Sequence, residues 1–126
     1  MNERGILLIR KYRWSLVWTT LILILSLLPK RSFPDVPISI PYLDKAVHFS
    51  LYFILMVLFT WETEKENLNG LVINALIVSL VLSFCTELGQ KYFLAGRSFE
   101  ILDIVANIIG SIIGVLFYRI FLKPFI

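Results

Sequence analysis

Four stretches of this chain carry no Asp, Glu, Lys or Arg over a length close to that of a membrane crossing: residues 14–29, 46–61, 67–86 and 104–118. A hydrocarbon core about 30 Å thick takes about 20 residues of α-helix. Three of the runs fall short of that and reach it only when polar residues at their ends join the helix. The shortfall places Asp44, His48, Glu87 and Asp103 at or within the membrane boundary. The chain has 126 residues, of which 58% are hydrophobic. That is more apolar surface than a single soluble core of this size can bury. The expected fold is all-α: one polytopic domain forming a four-transmembrane-helix bundle, with helices over about residues 12–29, 44–61, 69–90 and 99–121.

The net charge of +3 resides mostly at the ends and makes no basic stripe, so nucleic acid is excluded as a partner. Cys85 is the only cysteine, which rules out an intramolecular disulfide; its apolar neighbours predict a small core residue. The first run follows Arg4, Arg10, Lys11 and Arg13 in the manner of a signal peptide. It ends Ser26-Leu27-Leu28-Pro29 without a small-residue cleavage site, and an uncleaved helix is expected. Pro29, Pro34, Pro37 and Pro41 keep the next segment irregular. With the N-terminus in the cytoplasm, inner segments hold Arg4, Arg10, Lys11, Arg13, Lys65, Arg119 and Lys123. The outer loops hold Lys30, Arg31, Lys45, Lys91 and Arg97. The bias, with its basic cluster before the first helix, predicts a multi-pass inner-membrane protein with both termini in the cytoplasm. Trp14, Trp18, Trp61 and Tyr118 are expected as interfacial anchors near span ends.

In that topology the second helix starts, the third ends and the fourth starts on one side of the membrane. The unusual polar residues sit at those three ends. Asp44, His48 and Tyr52 follow one another at four-residue intervals and share a helix face. Glu87 and Gln90, with Ser83 one turn deeper, form a second stripe. Glu100, Asp103, Asn107, Gly110 and Gly114 form a third, polar at first and then small. Gly110 and Gly114 make a GxxxG pair suited to close helix packing and to homo-oligomerisation. A lone carboxylate at the bilayer centre costs roughly 2.5–3.5 kcal/mol on the insertion scale. The three stripes are therefore expected to meet in a polar pocket open to the outer face, with Tyr52, Ser83 and Asn107 as its floor and Lys45 and Arg97 as its cations.

Two kinds of chemistry suit these residues. His48 as a general base oriented by Asp44, with Glu87 as acid, would serve hydrolysis or group transfer. Lys45 and Arg97, with Tyr52, Gln90, Asp103 and Asn107, would instead bind a ligand, Arg97 gripping a phosphate or carboxylate by two donors. Asp44 and Ser98 also suit helix N-capping. His48 with Asp44, Glu87 and Asp103 has the ligand chemistry of a Mn2+ or Zn2+ site, but no paired-ligand motif accompanies it. Neither a metal nor a cofactor is expected, and there is no phosphate-cradling glycine loop or nucleophile elbow.

Three blocks of sequence resemble one family. They are Asp44-Lys45-Ala46-Val47-His48-Phe49 with Tyr52, Glu87-Leu88-Gly89-Gln90, and Gly96-Arg97-Ser98-Phe99-Glu100-Ile101-Leu102-Asp103-Ile104-Val105-Ala106-Asn107-Ile108-Ile109-Gly110. Their order and spacing are similar to those of the VanZ-like family, from about Asp44 to Gly114. The resemblance implies a small integral membrane protein of the cell envelope, linked in some members to resistance to the glycopeptide teicoplanin. It carries no settled reaction. It does not say what the pocket binds; the residues themselves, with Lys45 and Arg97 to hold an anion, favour an anionic lipid headgroup or lipid-linked envelope precursor, with a membrane-embedded hydrolase or transferase and a ligand-free structural subunit as alternatives.

Overall fold

The computed structural model describes residues 2–27, 43–63, 68–93 and 100–125. Those residues are helical, with no strand among them. The helices are α1 (Glu3–Lys11), α2 (Arg13–Leu27), α3 (Leu43–Glu62), α4 (Leu68–Phe93) and α5 (Ile101–Phe117). A π-helical turn (Tyr118–Leu122) and a 3-10 turn (Lys123–Phe125) prolong α5.

Among the described residues, three helical stretches are long and apolar enough to cross a membrane: Leu43–Glu62, Val72–Phe93 and Ile101–Phe125. They correspond to the second, third and fourth spans expected from the sequence. The first differs. Its basic, amphipathic beginning forms α1, a separate helix whose start is capped by Asn2 Oδ1 accepting the Gly5 N–H at 2.9 Å. The chain leaves the helical region at Tyr12 (φ −104°, ψ 23°). The α2 helix then covers 15 residues, about 22 Å at 1.5 Å per residue. The end expected at Pro29 lies outside the described residues, as do the other prolines of that segment.

The distribution of side chains is that of a protein solvated by lipid: apolar outside, polar within. On α4, Ser79, Ser83, Thr86, Glu87 and Gln90 are buried, while Ile77, Val78, Val81 and Phe84 are exposed. Cys85 is exposed as well. The apolar run around it suggested a core residue. At 100° per residue, however, it lies on the far side of α4 from Ser83, so the helix turns it outward. Trp14 and Trp61 are exposed as expected of interfacial rings, but Tyr118 is fully buried. Trp18 reaches inward, its indole N–H donating to the Leu51 carbonyl at 2.8 Å.

Two small apolar clusters fill the interior. Ile22, Tyr52 and Leu55 join α2 to α3, and Met56, Val72 and Val115 join α3, α4 and α5. At the end of α3 away from Asp44, the Glu62 carboxylate accepts hydrogen bonds from the Trp14 N–H (2.8 Å), the Ser15 N–H (3.3 Å) and the Ser15 hydroxyl (2.8 Å). It thus caps the start of α2 from another helix, satisfying donors that have no partner within α2. A cavity of about 610 Å³ lies between α1, α2, α3 and α4, lined by Tyr12, Leu16, Leu55, Met56, Phe59 and Val78 among others. None of the ionisable residues singled out above lines it.

The most extensive helix contact is between α3 and α5, and glycine makes it close. A Cβ at position 110 would stand 2.3 Å from the Phe49 carbonyl oxygen, and one at 114 would stand 2.5 Å from that of Phe53. The seam that the sequence offered to a second copy is filled here from within the chain. Because the obstruction is backbone, Gly110→Ala must push the helices apart, and thermal denaturation in detergent should show a loss of about 1–3 kcal/mol or more. Gly89→Ala is the comparison: its Cβ meets only the Leu27 side chain, at 3.0 Å, and should melt near the wild-type temperature.

Candidate functional site

The start of α3, the end of α4 and the start of α5 come together at one end of the bundle. Lys45 is the centre of the charge there. Its ammonium lies 2.5 Å from Asp44 Oδ2 and 2.8 Å from Asp103 Oδ1, and it also donates to the Glu100 carboxylate. These contacts span α3 and α5. Their geometry follows from the seam: Lys45 stands one turn above Phe49, whose carbonyl rests on Gly110, while Asp103 stands two turns above Gly110. An ion pair buried in a low dielectric offsets its desolvation only when such hydrogen bonds complete it. Lys45 meets that condition with hydrogen bonds to Asp44 and Glu100 beside its ion pair with Asp103.

His48 lies one turn further in. Its Nε2 is 3.4 Å from Asp103 Oδ2. The sequence suggested Asp44 as the carboxylate that orients this imidazole. In the structure that neighbour is Asp103, and Asp44 turns to Lys45 instead. The two oxygens of Asp103 thus serve different groups, Oδ1 the ammonium and Oδ2 the imidazole.

Glu87 is fully buried, as its position at the end of an uncharged run foretold. Its Oε2 accepts the Glu100 N–H at 3.1 Å, joining the end of α4 to the N-cap residue of α5. Glu100 makes no capping bond with its own side chain, and Ser98, the expected cap, lies outside the described residues. Glu87 Oε1 is buried with no hydrogen-bond partner among the described residues. A carboxylate oxygen of Glu87, one of Asp103 and an imidazole nitrogen of His48 all lie within 4.8 Å of one another. Asp44, Glu100 and Asp103 form a second such triad, which shares Asp103 with the first.

Two residues assigned to ligand contact on sequence grounds use their donors inside the protein. Gln90 Nε2 donates to the Ser26 carbonyl at 2.8 Å, tying α4 to the end of α2. Asn107 Nδ2 donates to Ser83 Oγ at 2.7 Å, and Ser111 Oγ donates to the Asn107 carbonyl at 2.8 Å. Tyr52 is buried beside Ser83 and Thr86. Tyr52, Ser83 and Asn107 are thus buried on the inward side of the charged end. Arg97 lies outside the described residues. Glu100, which sequence reasoning placed on the seam without a role at the site, belongs to the Lys45 cluster. Its spacing of three from Asp103 was the signal.

The sequence profile of the VanZ/LLP1 family matches residues 5–122, nearly the whole chain. The chain belongs to this family. The VanZ-like assignment thus extends to α1 and α2, beyond the three blocks that first carried it. The chain is also similar to an uncharacterized Schizosaccharomyces pombe protein, C11E3.10, with 29% identity over 79 residues. The match covers 63% of this chain and 48% of the yeast protein, so the chain spans about half the length of that relative. No solved structure matches this VanZ-like chain.

Among the described residues, the Asn107–Ser83 bond is the deeper of the two polar links between α4 and the start of α5. A double-mutant cycle of Asn107→Ala and Ser83→Ala, read by denaturation in detergent, should give a coupling of about 0.6–2 kcal/mol.

Proposed function

We propose that this VanZ-like membrane protein receives the polar headgroup of a membrane lipid, or of a lipid-linked envelope precursor, at the Lys45–His48–Glu87–Asp103 end of its bundle. One observation carries the reading. Charged side chains from three helices form a continuous gradient of exposure, from Asp44 (59% exposed) and Glu100 (43%) at the rim to Lys45 (19%), Asp103 (7%) and the fully buried Glu87 of α4 within. Such a gradient leads from the depth of lipid headgroups into the protein, where an unpaired carboxylate oxygen would otherwise be costly.

The charge balance decides how a headgroup is held. Among the described residues, Asp44, Glu87, Glu100 and Asp103 oppose the single Lys45 at this cluster, whose ammonium is already shared. A phosphate-bearing headgroup therefore needs further positive charge, and Arg97, whose guanidinium suits phosphate by two parallel hydrogen bonds, is the residue in the sequence that supplies it. Tyr52, Gln90 and Asn107 support the pocket walls and reach the ligand only if their present bonds exchange. With both termini in the cytoplasm, the site faces the outer side of the bacterial inner membrane, where envelope precursors are used. A role in glycopeptide resistance would follow from such an activity.

A second reading, hydrolysis or transfer at the headgroup, is favoured by the His48–Asp103 pair. A histidine with two carboxylates within 4.8 Å of one of its nitrogens has the parts of a general acid–base site. Native mass spectrometry of the protein purified with its own lipids should retain a phosphate-bearing lipid, and Arg97→Ala should deplete it. Protein free of bound lipid, with no change in Arg97→Ala, would refute the headgroup reading. If the site is catalytic, lipid-linked substrates should lose a water-soluble product in the presence of wild type, and His48→Ala and Glu87→Gln should each slow this by about 10²-fold or more. Full cellular activity in both variants would remove the catalytic reading and leave binding.

A further inference from the structure

We propose that His48, Glu87 and Asp103 bind a divalent metal ion of borderline hardness, Zn2+ or Mn2+. The two triads of this site make a natural comparison. Asp44, Glu100 and Asp103 already enclose a cation, the Lys45 ammonium. The other triad has equally close donors and no ammonium or guanidinium in contact with Glu87 among the described residues.

Each of the three side chains keeps one donor atom available for the ion. Asp103 gives Oδ1 to Lys45, which leaves Oδ2 on the His48 side. Glu87 gives Oε2 to the Glu100 N–H, which leaves the fully buried Oε1 without a partner. His48 presents Nε2. Its 3.4 Å separation from Asp103 Oδ2 is longer than an ordinary N–H···O bond. It matches the separation of about 3.3 Å between two ligands of a tetrahedral ion with bonds of 2.0–2.1 Å. One imidazole and two carboxylates suit Zn2+ or Mn2+ better than a soft ion, which would call for thiolates. The Lys45 ammonium and the Glu100 N–H would act as outer partners, each fixing a ligating carboxylate through its second oxygen.

Two carboxylates within a few ångströms in a site shielded from water repel each other, and a divalent ion removes that repulsion. It would also supply the positive charge that a phosphate finds lacking here. The metal site does not depend on a lipid being the ligand, and the two ideas fail separately when the ion is offered to delipidated protein in detergent.

The test is to strip the full-length protein with chelator, equilibrate it with Mn2+ or Zn2+, and measure retained metal by elemental mass spectrometry. Wild type and the remote control Glu3→Gln should hold one ion per chain. Glu87→Gln and His48→Ala should bind at least about tenfold more weakly. The electron spin echo of Mn2+ on wild type should carry the coupling of an imidazole nitrogen. That measurement needs no variant, so it decides the matter even where a substitution prevents folding. Retention no greater than that of a metal-free blank, undiminished binding in both variants, or bound Mn2+ without nitrogen coupling would each overturn the proposal.

Discussion

The close approach of α3 and α5 at Gly110 and Gly114 is the constraint from which the rest of the polar end follows. With a backbone carbonyl lying where each glycine would carry a Cβ, the two helices cannot slide or rotate freely against one another. Their register is fixed, and residues one or two turns away are brought face to face. Lys45 meets Asp103 and Glu100, and His48 meets Asp103, because Phe49 meets Gly110. In a membrane, where helices gain little from hydrophobic exclusion, such close packing and the hydrogen bonds it aligns are the main sources of association.

The polar residues are divided between holding the bundle together and forming the site. Asn107, Ser83, Gln90, Ser111 and, at the opposite end, Glu62 find partners on neighbouring helices or in their own turn. The Lys45 cluster is also internally bonded, but its members reach the surface. Glu87 differs from both groups. One of its oxygens is structural, securing the start of α5, and the other is left over. Asn107 Oδ1 shares that lack of a hydrogen-bond partner, but Glu87 Oε1 is the atom that stands beside the carboxylate of Asp103 and the imidazole of His48.

Much of this was legible from spacing alone. The four-residue steps of Asp44, His48 and Tyr52, and the alternating steps of Glu100, Asp103, Asn107, Gly110 and Gly114, placed each set on one helix face. The expense of isolated charge in lipid required those faces to meet. Pairing was not legible, because a stripe has width. Asp44 and Asp103 both lie within reach of the start of α3, and only the three-dimensional register gives Lys45 both of them and His48 only Asp103. The break at Tyr12 was not legible either, since the sequence on either side remains helix-forming. Glu62 as the cap of α2 depends on a contact 47 residues distant that no local pattern encodes. Cys85 shows the limit of composition: an apolar neighbourhood has the same meaning on a lipid-facing side as in a core.

Asp103 is a single rigid plane with two ends. Whatever draws the rim ammonium away from one end frees the carboxylate to rotate about its Cβ–Cγ bond, and the other end turns with it. The imidazole at depth is thus mechanically informed of events at the surface through one torsion angle, without any helix having to move.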